Sequence, residues 1–199
     1  MTEFKRVDTL EYATADLVAN IKAKYIGWNG VSQMDGTPSR LVSLYNELCW
    51  PLDKITEELE KQVKVFENTF NEMLVSGPSR VTILCPHHFL PCELSVTIGY
   101  IPSENKVLGL SKFTRIAEII GKKPMLQEEY CRELVDFLME KLQPKGAAVY
   151  IVGRHGCMTF RGVKQEVPVV TSMLRGAFLH ESSTRSEFLA LARTNGFGG

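Results

Sequence analysis

The sequence predicts an α+β protein in which an antiparallel β-sheet carries a helix pair on one face and is preceded by an N-terminal helical region. Three observations point there. The β-branched stretches come in neighbouring pairs, "RVTILC" with "ELSVTIGYI" and "AAVYIVGRHGCMTFRGV" with "VPVVTSMLRGAF", and consecutive strands favour antiparallel pairing. Two amphipathic helical patterns stand between those pairs. Ahead of them, the chain up to Phe66 shows only helical periodicity or charged, helix-tolerant composition. The domain reading is therefore a helical region over 1–66 and a sheet-bearing domain over 67–199.

The elements follow in order. Asp8 and Glu11 make a capping-box pattern, after which Leu10, Ala13, Leu17, Ile21 and Tyr25 fall on one helical face. Gly27, Asn29 and Gly30 interrupt it. The segment "GTPSRLVSLYNEL" predicts a second helix, with Thr37 as cap, Pro38 at its first position and Leu41, Tyr45 and Leu48 as its apolar stripe. Pro51 stops it, and Asp53 to about Lys64 reads as a short helix or an ordered loop. The two strands around residues 80–101 are joined by "CPHHFLPC". "SKFTRIAEII" and "LQEEYCRELVDFLMEKL" then form the helix pair, the latter with Leu126, Tyr130, Leu134, Leu138 and Leu142 along one face. After the second strand pair, Thr184 and Glu187 cap a last short helix before a Gly-rich tail. A sheet this small has open edges, which subunits can cover by pairing edge to edge.

Bulk composition excludes several classes of function. Lys+Arg and Asp+Glu are both 23 of 199 residues, so no global field draws the chain to nucleic acid or an anionic membrane. An anion must be held by a local cluster. No apolar run approaches the roughly 20 residues that span a bilayer, and no secretory leader pattern opens the chain, so the expected location is the cytoplasm. Five cysteines in such a chain favour reduced thiols over a disulfide framework.

The octet "CPHHFLPC" gathers Cys85, His87, His88 and Cys92, and thiolate with imidazole is a donor set that Zn²⁺ prefers. "RHGCM" offers a second half. In an extended strand His155 and Cys157 project to the same face and can approach a common point. The candidates outnumber the ligands of one catalytic ion, which leaves imidazoles free to move protons near neutral pH. Cys49 and Cys131 lie in helical patterns without such company and read as packing thiols. In "GLSKFTR", Ser111 reads as a helix N-cap, with Lys112 and Arg115 in the first turn. Cations there oppose the helix dipole unless an anion binds among them. Arg161 and Arg40 could add charge. Glu128 and Glu129 open a helix, where acids are favoured, and a carboxylate there could also accept paired hydrogen bonds from a guanine-like ring. There is no GxxxxGK[ST], and Pro91-Cys92 is followed by Glu93, Leu94 and Ser95 rather than the deaminase P-C-x-x-C pattern.

Taken together, "CPHHFLP", "IGYIP", "VLGLSKFTRI", "LQE", "HGCM", "RGV", "TSMLRGAF" and "TRSEFL", in this order and spacing, resemble the GTP cyclohydrolase I family from about Gly36 to Arg193. The resemblance implies a zinc enzyme that opens the imidazole ring of GTP and releases C8 as formate. The remainder is rebuilt into 7,8-dihydroneopterin triphosphate, which leads to pterins, tetrahydrofolate or deazapurines. It implies Cys85, His88 and Cys157 as Zn²⁺ ligands, His87 and His155 as proton-transfer histidines, and Ser111 in the later ribose opening. It further implies Lys112, Arg115 and Arg161 on the triphosphate, Gln127 and Glu128 at the guanine end, and Arg40 reaching a neighbouring subunit's phosphate site. The implied fold is the tunnelling fold, with 67–199 as its catalytic domain. Its sheets join between subunits into a pentameric barrel, and two barrels make a homodecamer with active sites between chains. Pro86 departs from the family, which usually carries glutamate there, and so removes both a carboxylate and a backbone N–H beside Cys85. The alternatives are a cyclohydrolase with another nucleotide preference and a non-catalytic binding protein of the same fold.

Overall fold

The computed structural model describes residues 9–67, 69–103 and 106–194. They fall into two compact units that divide between Cys49 and Trp50. The first holds α1 (Leu10–Lys22) and α2 (Thr37–Leu48). Asp8 lies outside the described residues, and α1 is capped by Thr9, whose hydroxyl accepts from the Tyr12 N–H. The expected face is not the buried one: Leu10 and Leu17 are exposed, while Thr14 and Val18 are buried. Thr14 can be buried because its hydroxyl donates to the Leu10 carbonyl at 2.9 Å, one turn back. Tyr25 falls beyond the helix in a 3₁₀ turn. In α2 the cap is Gly36 rather than Thr37, which with Pro38 occupies the first turn, where a missing N–H costs nothing.

The second unit opens with α3 (Leu52–Gln62), so the charged segment is a helix, with Ile55 and Leu59 buried. Then come β1 (Val65–Glu67), β2 (Leu74–Leu84), β3 (Pro91–Ile101) and β4 (Lys106–Leu108). The helix pair follows as α4 (Leu110–Ile120) and α5 (Gln127–Leu142). The chain continues through β5 (Gly146–His155), α6 (Gly156–Thr159), β6 (Val169–Gly176), α7 (Ala177–His180) and α8 (Ser182–Thr194). All ladders between named strands are antiparallel: β2-β3-β5-β6 form the main sheet, and β1 pairs with β4 apart from it.

Alternation along the strands sorts the two faces. From β5, Ala147, Val149 and Ile151 join the core with Phe113, Ile116, Tyr130, Leu134 and Leu138 of the helix pair. Ala148, between them in sequence, packs with Phe178, Phe188 and Ala192 of α7 and α8. The stripe expected on α5 is thus the buried one at Tyr130, Leu134 and Leu138, while Leu126 precedes the helix as its cap. The α+β class and the helix pair on one sheet face stand as the sequence predicts.

Three boundaries differ from expectation. Helix α4 begins at Leu110 with Gly109 as cap, so Ser111 is its second residue and Arg115 lies beyond the first turn. Gly109 can leave the β1–β4 ladder and enter the helix at once because its N–H donates to the Lys64 carbonyl. Thr184 lies inside α8, its hydroxyl turned to the Glu181 carboxylate at 2.8 Å. Most consequential, the strand after Ala147 stops at His155, and Cys157 sits in the single turn of α6.

Candidate metal centre and active site

The β2–β3 connection is closed by its own backbone. The Cys85 N–H donates to the Leu90 carbonyl at 2.9 Å, and the Phe89 N–H donates to the Cys85 carbonyl, also at 2.9 Å. Neither bond uses the N–H that Pro86 lacks, so proline enters this turn without leaving a hydrogen bond unmade. Phe89 takes up the reversal at φ 52°. Beside it, Leu84 bridges to Pro124 and accepts from the Met125 N–H at 3.0 Å, which ties the start of α5 to the foot of the loop.

The other half arrives through β5. Cys92 pairs in register with His155, and the chain then turns sharply into α6. Gly156 makes that turn possible: a Cβ there would stand 2.7 Å from the Pro91 carbonyl oxygen. The turn carries Cys157 to the octet. The ligand atoms of Cys85, His88 and Cys157 all lie within 4.8 Å of one another, with Cys85 Sγ 3.7 Å from His88 Nδ1. The three residues thus converge, but by a helical turn and not by the i, i+2 geometry of an extended strand.

Electrostatics explain what this cluster lacks on its own. Burial, then the hydrogen bond with Cys85, raises the Cys157 thiol above its ordinary pKa. Cys92, buried beside both, is pushed up to about 12, chiefly by burial and then by the neighbouring Cys157 and Cys85. Crowded, desolvated thiols stay protonated unless a cation neutralises them, and a coordinated divalent metal does so. Two sulfurs and one imidazole fit a catalytic zinc, which takes three protein ligands and keeps one position open. Cys92, a candidate in the octet to which the family resemblance gives no role, is the buried neighbour of the cluster. Its register opposite His155 brings it there, and that pairing shows only once the strands are aligned.

Around the cluster, Arg161 donates to His88 Nε2 at 2.7 Å, leaving Nδ1 as the nitrogen that faces Cys85. His87 is exposed, its ring set edge-on to His88 at 6.2 Å. His155 Nε2 meets Gln127 Oε1 at 2.8 Å. Its pKa is lowered by burial and raised in part by the charge of Glu128, which places that exposed carboxylate in its electrostatic neighbourhood. Glu129 has a structural task instead: its carboxylate accepts the Leu126 N–H at 3.1 Å and caps α5.

The basic residues stand differently. Lys112 donates to the amide oxygen of Gln62 at 3.1 Å, a partner that carries no charge. Among the described residues no carboxylate is paired with Lys112, Arg115 or Arg161, and no hydrogen bond joins Ser111, Lys112 or Arg115 to the cysteine–histidine cluster. Arg40 belongs to the N-terminal unit, exposed on α2.

Comparison with known proteins bears on this arrangement. The family model of GTP cyclohydrolase I matches residues 24–193. GTP cyclohydrolase 1 of Pelotomaculum thermopropionicum is 37% identical over 161 residues, covering 80% of this chain and 85% of that protein. That of Carboxydothermus hydrogenoformans is 38% identical over 157 residues, covering 78% and 80%. Among solved structures, the apo archaeosine synthase QueF-Like aligns with TM-score 0.43 and 18% identity, covering 55% of this chain and 97% of that one. A match across most of the chain, with curated relatives above one-third identity, is decisive: the chain belongs to the GTP cyclohydrolase I family.

Proposed function

We propose that this protein is a zinc-dependent GTP cyclohydrolase I, which converts GTP and water to formate and 7,8-dihydroneopterin triphosphate. The observation that carries this reading is the convergence of Cys85, His88 and Cys157, with His87 and His155 beside them and not needed as ligands. Family membership supports GTP as the substrate.

Zinc held by Cys85, His88 and Cys157 would supply a Lewis acid able to bring a water molecule to its nucleophilic form near neutral pH. The chain's own residues do the rest. His87 and His155 exchange protons with the purine and with the opened ring, a task suited to imidazoles near neutrality. Glu128 accepts from the ring N–H and amino group of guanine, with Gln127 at the same end of the site. Lys112, Arg115 and Arg161 bind the triphosphate, consistent with the absence of any carboxylate paired with them among the described residues. Ser111 assists the ribose steps, and Arg40 of a neighbouring chain is a further phosphate contact. That Ser111, Lys112 and Arg115 make no bond to the metal cluster within one chain favours a site completed between chains. The assembly proposed is a decamer of two pentameric tunnelling-fold barrels in the cytoplasm, built by the domain over 67–199. The product would enter pterin, tetrahydrofolate or deazapurine synthesis.

Incubating the zinc-loaded protein with GTP tests this. Formate and the fluorescent oxidised pterin are expected in equal amounts. GTP left intact by metal-loaded protein, with another purine nucleotide consumed, would transfer the proposal to that nucleotide.

A further inference from the structure

Gln127 is only 2% exposed, and every polar atom of its side chain is engaged. Its amide nitrogen lies 3.0 Å from the Val169 carbonyl and 2.9 Å from Thr171 Oγ1, both on β6. A backbone carbonyl can only accept, so the group facing it must be the NH₂, and the orientation of the amide is settled. Gln127 Oε1 must then face His155 Nε2, 2.8 Å away. A carbonyl oxygen cannot donate either, so the hydrogen of that bond has to sit on Nε2. His155 Nδ1 is left with its lone pair and has no partner among the described residues.

The seat for this amide is built into the sheet. Gly153 lies on β5 between Leu94 and Val169 in register, and a Cβ there would stand 2.0 Å from Gln127 Oε1. Only the missing side chain lets the carbonyl reach across the strand to His155. Turning the amide over would set its oxygen against the Val169 carbonyl in a buried site, two acceptors face to face, and that hydrogen bond would be lost.

We propose that Gln127 is a positioning residue: seated over Gly153 and anchored to β6, it holds neutral His155 as the Nε2–H tautomer and makes Nδ1 the nitrogen offered to substrate. The catalytic consequence rests on the reading of His155 as a proton-transfer histidine, whereas the tautomer itself does not.

Magic-angle-spinning NMR of zinc-loaded full-length protein labelled with ¹⁵N-histidine reads the tautomer directly. Spectra are taken at about pH 8, above the ordinary histidine range, and His155 is assigned by its loss in His155→Asn. A protonated Nε2 and an unprotonated Nδ1 are expected in the wild type. A protonated Nδ1, or two averaged nitrogens, overturns the proposal without any variant having to fold. In Gln127→Ala, or in Gly153→Ala where the glutamine is pushed from its seat, the preference should be lost; a spectrum unchanged in both overturns it too. If GTP is turned over, Gln127→Ala should lower kcat by about 10-fold or more with little change in KM, as misplacing a proton carrier does. A raised KM with intact kcat would make Gln127 a binding residue instead. Absence of turnover in the wild type would count against the cyclohydrolase reading while leaving the tautomer result standing.

Discussion

Burial sets the chemistry of single cysteines here as strongly as neighbours do. Cys131 is fully buried on α5, and desolvation, only partly offset by Thr171 and Arg175, pushes its thiol up to about 12. It therefore stays protonated at neutral pH, and the thiolate is the reactive form. Treated with iodoacetamide at about pH 8, native protein should be alkylated at the partly exposed Cys49 and not at Cys131, as read by peptide mass spectrometry. Equal labelling of the two would contradict the burial argument. At this scale residue types were readable from sequence and their commitments were not. Cys85 and His88 announce themselves by a spacing of three. Gln127, by contrast, owes its role to a carbonyl on β6 and a missing Cβ on β5, both remote in sequence.

At the scale of elements, helix α5 and the β5–α6 junction carry opposite lessons. The α5 stripe follows from period alone, and Tyr130, Leu134 and Leu138 are each fully buried. Leu134→Ala should cost about 2–5 kcal/mol in denaturant unfolding. Tyr130→Phe, which removes the 2.8 Å bond to the Ala117 carbonyl, should cost about 1 kcal/mol. The β5–α6 junction could not be read so directly, because the turn depends on Gly156 passing the Pro91 carbonyl, which lies on a strand remote in sequence. Gly156→Ala forces that backbone apart and moves Cys157. Metal affinity should fall by roughly 10–100-fold, the range seen when the support of a ligand is disturbed, in a competition titration against a chromophoric chelator. Unchanged affinity would mean that Cys157 does not depend on this turn.

For the whole molecule, the paired grouping of strands was enough to anticipate one antiparallel sheet with a helix pair on one face. The separate β1–β4 ladder was not anticipated, because three-residue strands leave almost no periodic trace. In the described residues β2 and β6 are the edges of the main sheet, and Phe160, Val163, Val167 and Val170, before and on β6, are exposed apolar residues. Edges of this kind are normally covered, and pairing with further copies covers them. Native mass spectrometry should therefore show a homo-oligomer, of ten chains if the proposed decamer is right; a monomer at micromolar concentration would contradict the proposed intersubunit site. Within one chain, Cys85 and His88 from one loop and Cys157 from another are proposed to bind one ion. Titrating metal-free protein with Co²⁺ and reading the thiolate-to-cobalt charge-transfer absorption tests it most directly. Two thiolates per bound cobalt are expected in the wild type and in Cys92→Ser, and at most one in Cys85→Ala or Cys157→Ala. Full two-thiolate intensity in either of those alanine variants would contradict it.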